Sequence, residues 1–136
     1  MNKEEATKFL AIIKVAYPST YKDIGKEMAI ATVNMWQRTF ANVPYVIMEM
    51  AFDHFRKVSQ FAPTPAEIIT ELKSLYYTAV SEALTSDSEE KTKLSEYIIK
   101  HTSSFREPPK MEINYAALNK KLLQNGENHK CLSEGG

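Results

Sequence analysis

The chain has 136 residues, 43% of them hydrophobic, with 17 Lys and Arg against 17 Asp and Glu, and one cysteine. That length and composition fit one soluble globular domain with an appendage. Zero formal net charge removes the positive field on which a nucleic-acid coat or a membrane-surface binder relies. Cys131 has no partner for an internal disulfide and reads as a reduced intracellular thiol. The acidic start and the absence of any run near the ~20 apolar residues of a membrane span predict a cytoplasmic protein.

Ala6, Phe9, Leu10, Ile13, Ala16 and Tyr17 recur at three- and four-residue spacing, which predicts a first helix ended by Pro18. Ser19 to Gly25 is an ordered connection carrying Tyr21 and Ile24. From about Glu27 to Phe40, the residues Met28, Ala31 and Met35 with Val33, Trp36 and Phe40 predict a second helix whose broad apolar face meets two neighbours. Asn42-Val43-Pro44 opens a third, with Pro44 in the first turn and Asn42 or Val43 as the cap. Ile47, Met50, Ala51, Phe55 and Val58 form its buried stripe.

Thr64 and Glu67 stand in capping-box spacing around Pro65, so a fourth helix starts at the proline. Ile68, Ile69, Leu72, Leu75, Tyr76 and Ala79 carry it toward Leu84. The composition then turns polar. Ser86 and Glu89 repeat the capping spacing, and Leu94, Tyr97 and Ile98 give a fifth helix a thin stripe. Pro108-Pro109 breaks the pattern, residues 114–123 form a short amphipathic helix stopped by Gly126, and the last residues have almost nothing to bury. The fold class is all-α: a compact helical head of about four helices over residues 1–85, and a weakly structured or partly helical C-terminal extension over 86–136.

No constellation for catalysis assembles. His54 borders the apolar face of the third helix as a partly buried structural residue, and His101 closes the fifth helix, where its charge complements the helix dipole. His129 and Cys131 are two ligands without a second pair, so no metal is expected. Gly25, Gly126, Gly135 and Gly136 are all the glycines, which leaves no phosphate-cradling loop and no cofactor site. Arg56-Lys57 and Lys120-Lys121 are the local basic clusters and read as solvated surface, so direct sequence-specific DNA binding is not expected. Among the aromatics, Tyr45, Phe52 and Tyr77 are left over from the stripes as candidates for an exposed contact surface.

The order Phe9-Leu10-Ala11-Ile12-Ile13, Ala16-Tyr17-Pro18, Val33-Asn34-Met35-Trp36-Gln37 with Phe40, Val43-Pro44-Tyr45 with Ala51-Phe52, and Phe61-Ala62-Pro63-Thr64-Pro65-Ala66-Glu67-Ile68 resembles the small helical replication proteins of tailed phages and prophages that load and inhibit the replicative helicase. The resemblance covers roughly residues 5 to 76. It implies a non-enzymatic adaptor that holds the hexameric replicative helicase, restrains its ATPase and delivers it to an origin marked by a phage initiator protein, through a helical head and a flexible C-terminal region. The long stretch after Leu84 departs from that pattern. Within it, Tyr115, Leu118, Leu122 and Leu123 form the apolar face of a helix with Lys120 and Lys121 outside. That helix either docks on the helicase or packs back on the head. A small helix-turn-helix DNA-binding regulator is the alternative function, and a phage assembly chaperone the third.

Overall fold

The structure, a computed structural model, describes residues 1–106. These form one compact unit, Met1–Arg106, of five α-helices and a closing 3-10 turn: α1 (Lys3–Ala16), α2 (Lys26–Thr39), α3 (Tyr45–Val58), α4 (Pro65–Thr85), α5 (Glu89–Thr102) and Ser103–Phe105. No strand occurs among the described residues. The fold is all-α, as the periodicity predicts.

Two helices start at reciprocal caps. At α1, the Asn2 side chain accepts from the Glu5 amide and the Glu5 carboxylate accepts from the Asn2 amide, both at 2.8 Å. At α4, Thr64 Oγ1 accepts from the Glu67 amide at 3.3 Å and Glu67 Oε1 accepts from the Thr64 amide at 3.0 Å. Each box satisfies two donors that a helix N-terminus otherwise leaves unpaired.

Other boundaries differ from expectation. Pro44 is itself the N-cap of α3, with an extended backbone (φ −60°, ψ 145°). Its carbonyl already accepts from Ile47 and Met48 at 3.0 and 3.2 Å, so neither Asn42 nor Val43 caps, and Val43 goes into the core at 1% exposure. The cap of α5 is Ser88, which accepts from the Lys91 amide. Ser86 ends α4, its own amide donating to the Glu82 carbonyl at 2.8 Å. The 86/89 spacing therefore straddles two helices.

The core is built around Phe9, fully buried on α1. Its ring lies 5.6 Å from Trp36 of α2 and 5.7 Å from Phe52 of α3, with Phe40 a further 5.5 Å from Trp36. Offset and edge contacts at these distances suit the aromatic quadrupole. Ile47, Met48, Ile68 and Leu72 bring α3 and α4 into the same core. Tyr17 secures the turn after α1: its hydroxyl donates to the Ser59 carbonyl at 2.9 Å, and its ring meets Phe52 at 6.4 Å. The Met1 ammonium donates to the carbonyls of Phe40, Ala41 and Val43 at 2.9, 3.1 and 2.5 Å, clamping the start of α1 to the α2–α3 connection.

The α2 face is narrower than its composition predicts. Trp36 is the fully buried residue within the helix, whereas Met28 is 62% and Met35 39% exposed. The helix packs chiefly on α1, and one neighbour buries one stripe. Val58, in the last turn of α3, is also exposed. The fifth helix belongs to the Met1–Arg106 unit, whereas the sequence expectation sets it in an extension starting at 86. It packs along α4 and buries Ser95, Ile98 and Thr102, and Phe105 beyond it reaches within 6.3 Å of Phe40.

Candidate functional site

The candidate partner-binding residues Tyr115, Leu118, Lys120, Lys121, Leu122 and Leu123 lie outside the described residues, as do His129 and Cys131. The other sequence candidates lie within them, and they do not converge on a reactive centre. His54 stands exposed on the flank of α3, because Ala51 and Phe55 take the core-facing positions. Its Nδ1 lies 2.6 Å from Glu71 Oε2, so it ties α3 to α4 from outside and is not the partly buried residue expected. His101 sits in the last turn of α5, as expected, with its ring 4.7 Å from Tyr97. Arg56 pairs with Asp53 at 3.2 Å on the same helix. Among the described residues no three His, Cys, Asp or Glu side chains gather as a metal site would require.

The leftover aromatics separate into three environments. Phe52 is core at 2% exposure, which removes it from the contact surface, while Tyr77 is half exposed. Tyr45, half-buried at the start of α3, has its hydroxyl pushed above 10.0 by burial first, then by the nearby Glu49 and Glu5 carboxylates.

The head's most developed concave surface runs between α1 and α2. Thr7, Leu10 and Ala11 of α1 face Ala29, Thr32 and Val33 of α2 across a cavity of about 230 Å³, which Tyr21 and Ile24 close at one end. Tyr21 and Asp23 adopt left-handed backbone conformations (φ 59° and 62°), which turn the connection back on itself. A bulky residue such as Tyr21 carries strain there. A second cavity of about 420 Å³ shares Thr7, Ala29 and Val33 and extends to Lys3, Lys26 and Ile30. The two make one open groove with an apolar floor. Its hydroxyls are already used, since Thr7 donates to the Lys3 carbonyl at 2.9 Å and Thr32 to the Met28 carbonyl at 2.7 Å.

Such a groove receives apolar side chains and offers charge only at its edges. The sequence expectation misses it by turning Met28, Ala31 and Met35 inward. A signal is nonetheless present: Lys26, Ala29, Ile30 and Val33 recur at i, i+3, i+4 and i+7, a second stripe beside the one that Trp36 and Phe40 define.

Residues 1–69 match the family model for the N-terminal domain of the phage SPP1 helicase loader/inhibitor. That span takes in α1, α2, α3 and the capped start of α4, hence both walls of the groove. Neither the curated proteins nor the solved structures give a match.

Proposed function

Because the chain belongs to the family of phage helicase loader/inhibitor N-terminal domains, we propose that it is a non-enzymatic adaptor of phage DNA replication in the host cytoplasm. It binds the replicative hexameric helicase, restrains its activity and delivers it to an origin occupied by the phage initiator protein. The observation that carries this reading is the family match across residues 1–69. Three features support it. The chain is neutral in both parts, with nine charges of each sign in residues 1–85 and eight of each in 86–136, which favours protein contacts over charge-driven binding to DNA. None of the described helices is long and apolar enough to cross a membrane. The stripe of Tyr115, Leu118, Leu122 and Leu123, flanked by Lys120 and Lys121, has the spacing of a helix that lays its apolar face into a partner's groove.

The test mixes the full chain with the host replicative helicase and follows complex formation by size-exclusion chromatography and ATP hydrolysis by phosphate release. A stable complex with slowed hydrolysis is expected, and truncation after Arg106 is expected to abolish the complex while leaving the melting temperature of the 1–106 unit unchanged. No complex with the helicase, together with salt-dependent binding to duplex DNA, would refute the adaptor role in favour of a DNA-binding regulator. A marked fall in melting temperature on truncation would show that the 115–123 stripe packs on the head instead.

A further inference from the structure

We propose that the groove between α1 and α2 is a docking site for an acidic amphipathic helix of a partner protein. The partner's apolar side chains would lie on the floor around Leu10, Ala29 and Val33, and its carboxylates against Lys3, Lys14 and Lys26. This deepens the adaptor reading by naming a surface and the chemistry of its occupant, and it rests on that reading only in taking the occupant to be a protein. Three observations carry it.

The first is shape. The groove runs along α1 from Lys3 to Lys14, about 16 Å at 1.5 Å per residue, or roughly three turns of a partner helix. Ala11 and Ala29 keep its floor low. Ile30 stands at its edge 49% exposed, an apolar side chain that a docked helix would cover.

The second is charge. Every ionised side chain lining the two cavities is a lysine, although residues 1–85 carry as many acids as bases. None of the three is in an ion pair among the described residues. With the threonine hydroxyls bonded to their own helices, the groove can discriminate between partners only by apolar fit and by the sign of flanking charge.

The third concerns the chain's own 115–123 stripe. It carries Lys120 and Lys121, the wrong sign for a lysine-rimmed groove, so an acidic segment from elsewhere is the fitting occupant.

The test uses the full chain, labelled with ¹⁵N, and two synthetic 14-residue helical peptides with the same leucine stripe, one flanked by glutamates and one by lysines. The glutamate peptide is expected to bind, with amide shifts concentrated in α1, α2 and the connection between them. Reversing the rim (Lys3→Glu, Lys14→Glu and Lys26→Glu together) is expected to weaken it by about tenfold or more, and raised salt to weaken it as well. Ile30→Ser, at an exposed position that leaves the fold intact, is expected to weaken binding without altering the salt dependence. Equal binding of the two peptides, shifts centred on other helices, or no binding of the glutamate peptide would each overturn the proposal. The same rim variant keeps or loses the helicase complex independently of the peptide result, so a failed groove and a failed adaptor role are told apart.

Discussion

Replacing Phe9 with alanine tests the claim that one α1 side chain joins three helices. The ring is fully buried and touches Trp36 and Phe52 at 5.6 and 5.7 Å, so little of its surroundings is free to relax into the space left behind. Deleting a buried phenylalanine ring costs about 3–5 kcal/mol through lost transfer free energy and residual cavity. A unit of this size has about 5–15 kcal/mol in all, so Phe9→Ala removes a third or more of the stability. The corresponding fall in melting temperature is on the order of 20 °C. Trp36, the sole tryptophan, sits against the altered site at 1% exposure. Urea unfolding followed by its emission therefore reports on the packing itself. Pairing the substitution with Phe52→Ala in a double-mutant cycle should give a coupling of about 0.5–1.5 kcal/mol, as expected for an edge-on aromatic pair. A loss below about 1 kcal/mol for Phe9→Ala, with unchanged Trp36 emission, would refute this packing.

Thr64→Ala should destabilise the fold by about 1 kcal/mol and Thr64→Ser by much less, because a serine keeps the acceptor for the Glu67 amide; chemical denaturation measures both, and equal losses would argue against the cap. At alkaline pH, Tyr45 should make stability pH-dependent. Its folded-state hydroxyl is raised above 10.0 by burial and by Glu49 and Glu5, so the folded state holds the proton more tightly than the unfolded chain. That contribution is complete below the unfolded value and is lost as pH rises through the folded one. Tyr45→Phe should remove this slope, as read from urea midpoints between about pH 8 and pH 11, and a slope that persists in the variant would exclude Tyr45 as its source.

What can be read from the sequence is local. Pro18 and the Thr64-Pro65-Glu67 start act within one turn of chain, through φ restriction and hydrogen bonds that need no distant partner, and the structure has them where the sequence puts them. The side chosen by a helix with two apolar stripes is not local. On α2, Trp36 and Phe40 face Phe9 because α1 packs there, and Met28 and Met35 are left in solvent. Phe52 is surplus to the α3 stripe only while α3 is considered alone, because the neighbours that bury it, Phe9 and Tyr17, come from elsewhere in the chain. The fifth helix reads as lying outside the head because two of its three buried residues are polar. Thr102 is accommodated by donating to the Ile98 carbonyl at 2.6 Å, and Ser95, about two turns earlier, is buried on the same helix. The groove is written in the 26-29-30-33 spacing, but its openness depends on what the rest of the chain leaves uncovered.

That last dependence separates the two sides of the head. The family match ends at residue 69, five residues into α4, yet the same compact unit continues to Arg106. Leu72 and Ala79 of α4 are buried, and Ile98 of α5 lies in the same core with them. On this side the chain supplies its own cover, so apolar surface on α4 has been used for folding. On the opposite side α2 packs chiefly on α1, and Ile30 remains half exposed at the edge of a groove lined by Lys3, Lys14 and Lys26. Overall neutrality hides this asymmetry because it is a sum over positions. Arg56 is paired with Asp53 and His54 with Glu71 on the α3 and α4 flank, where opposite charges neutralise each other locally. The α1 and α2 groove has lysines and no carboxylate among its lining residues. A surface that is concave, apolar and of one sign differs from its neighbours in the three properties that select a protein partner, and within the described head they coincide between α1 and α2.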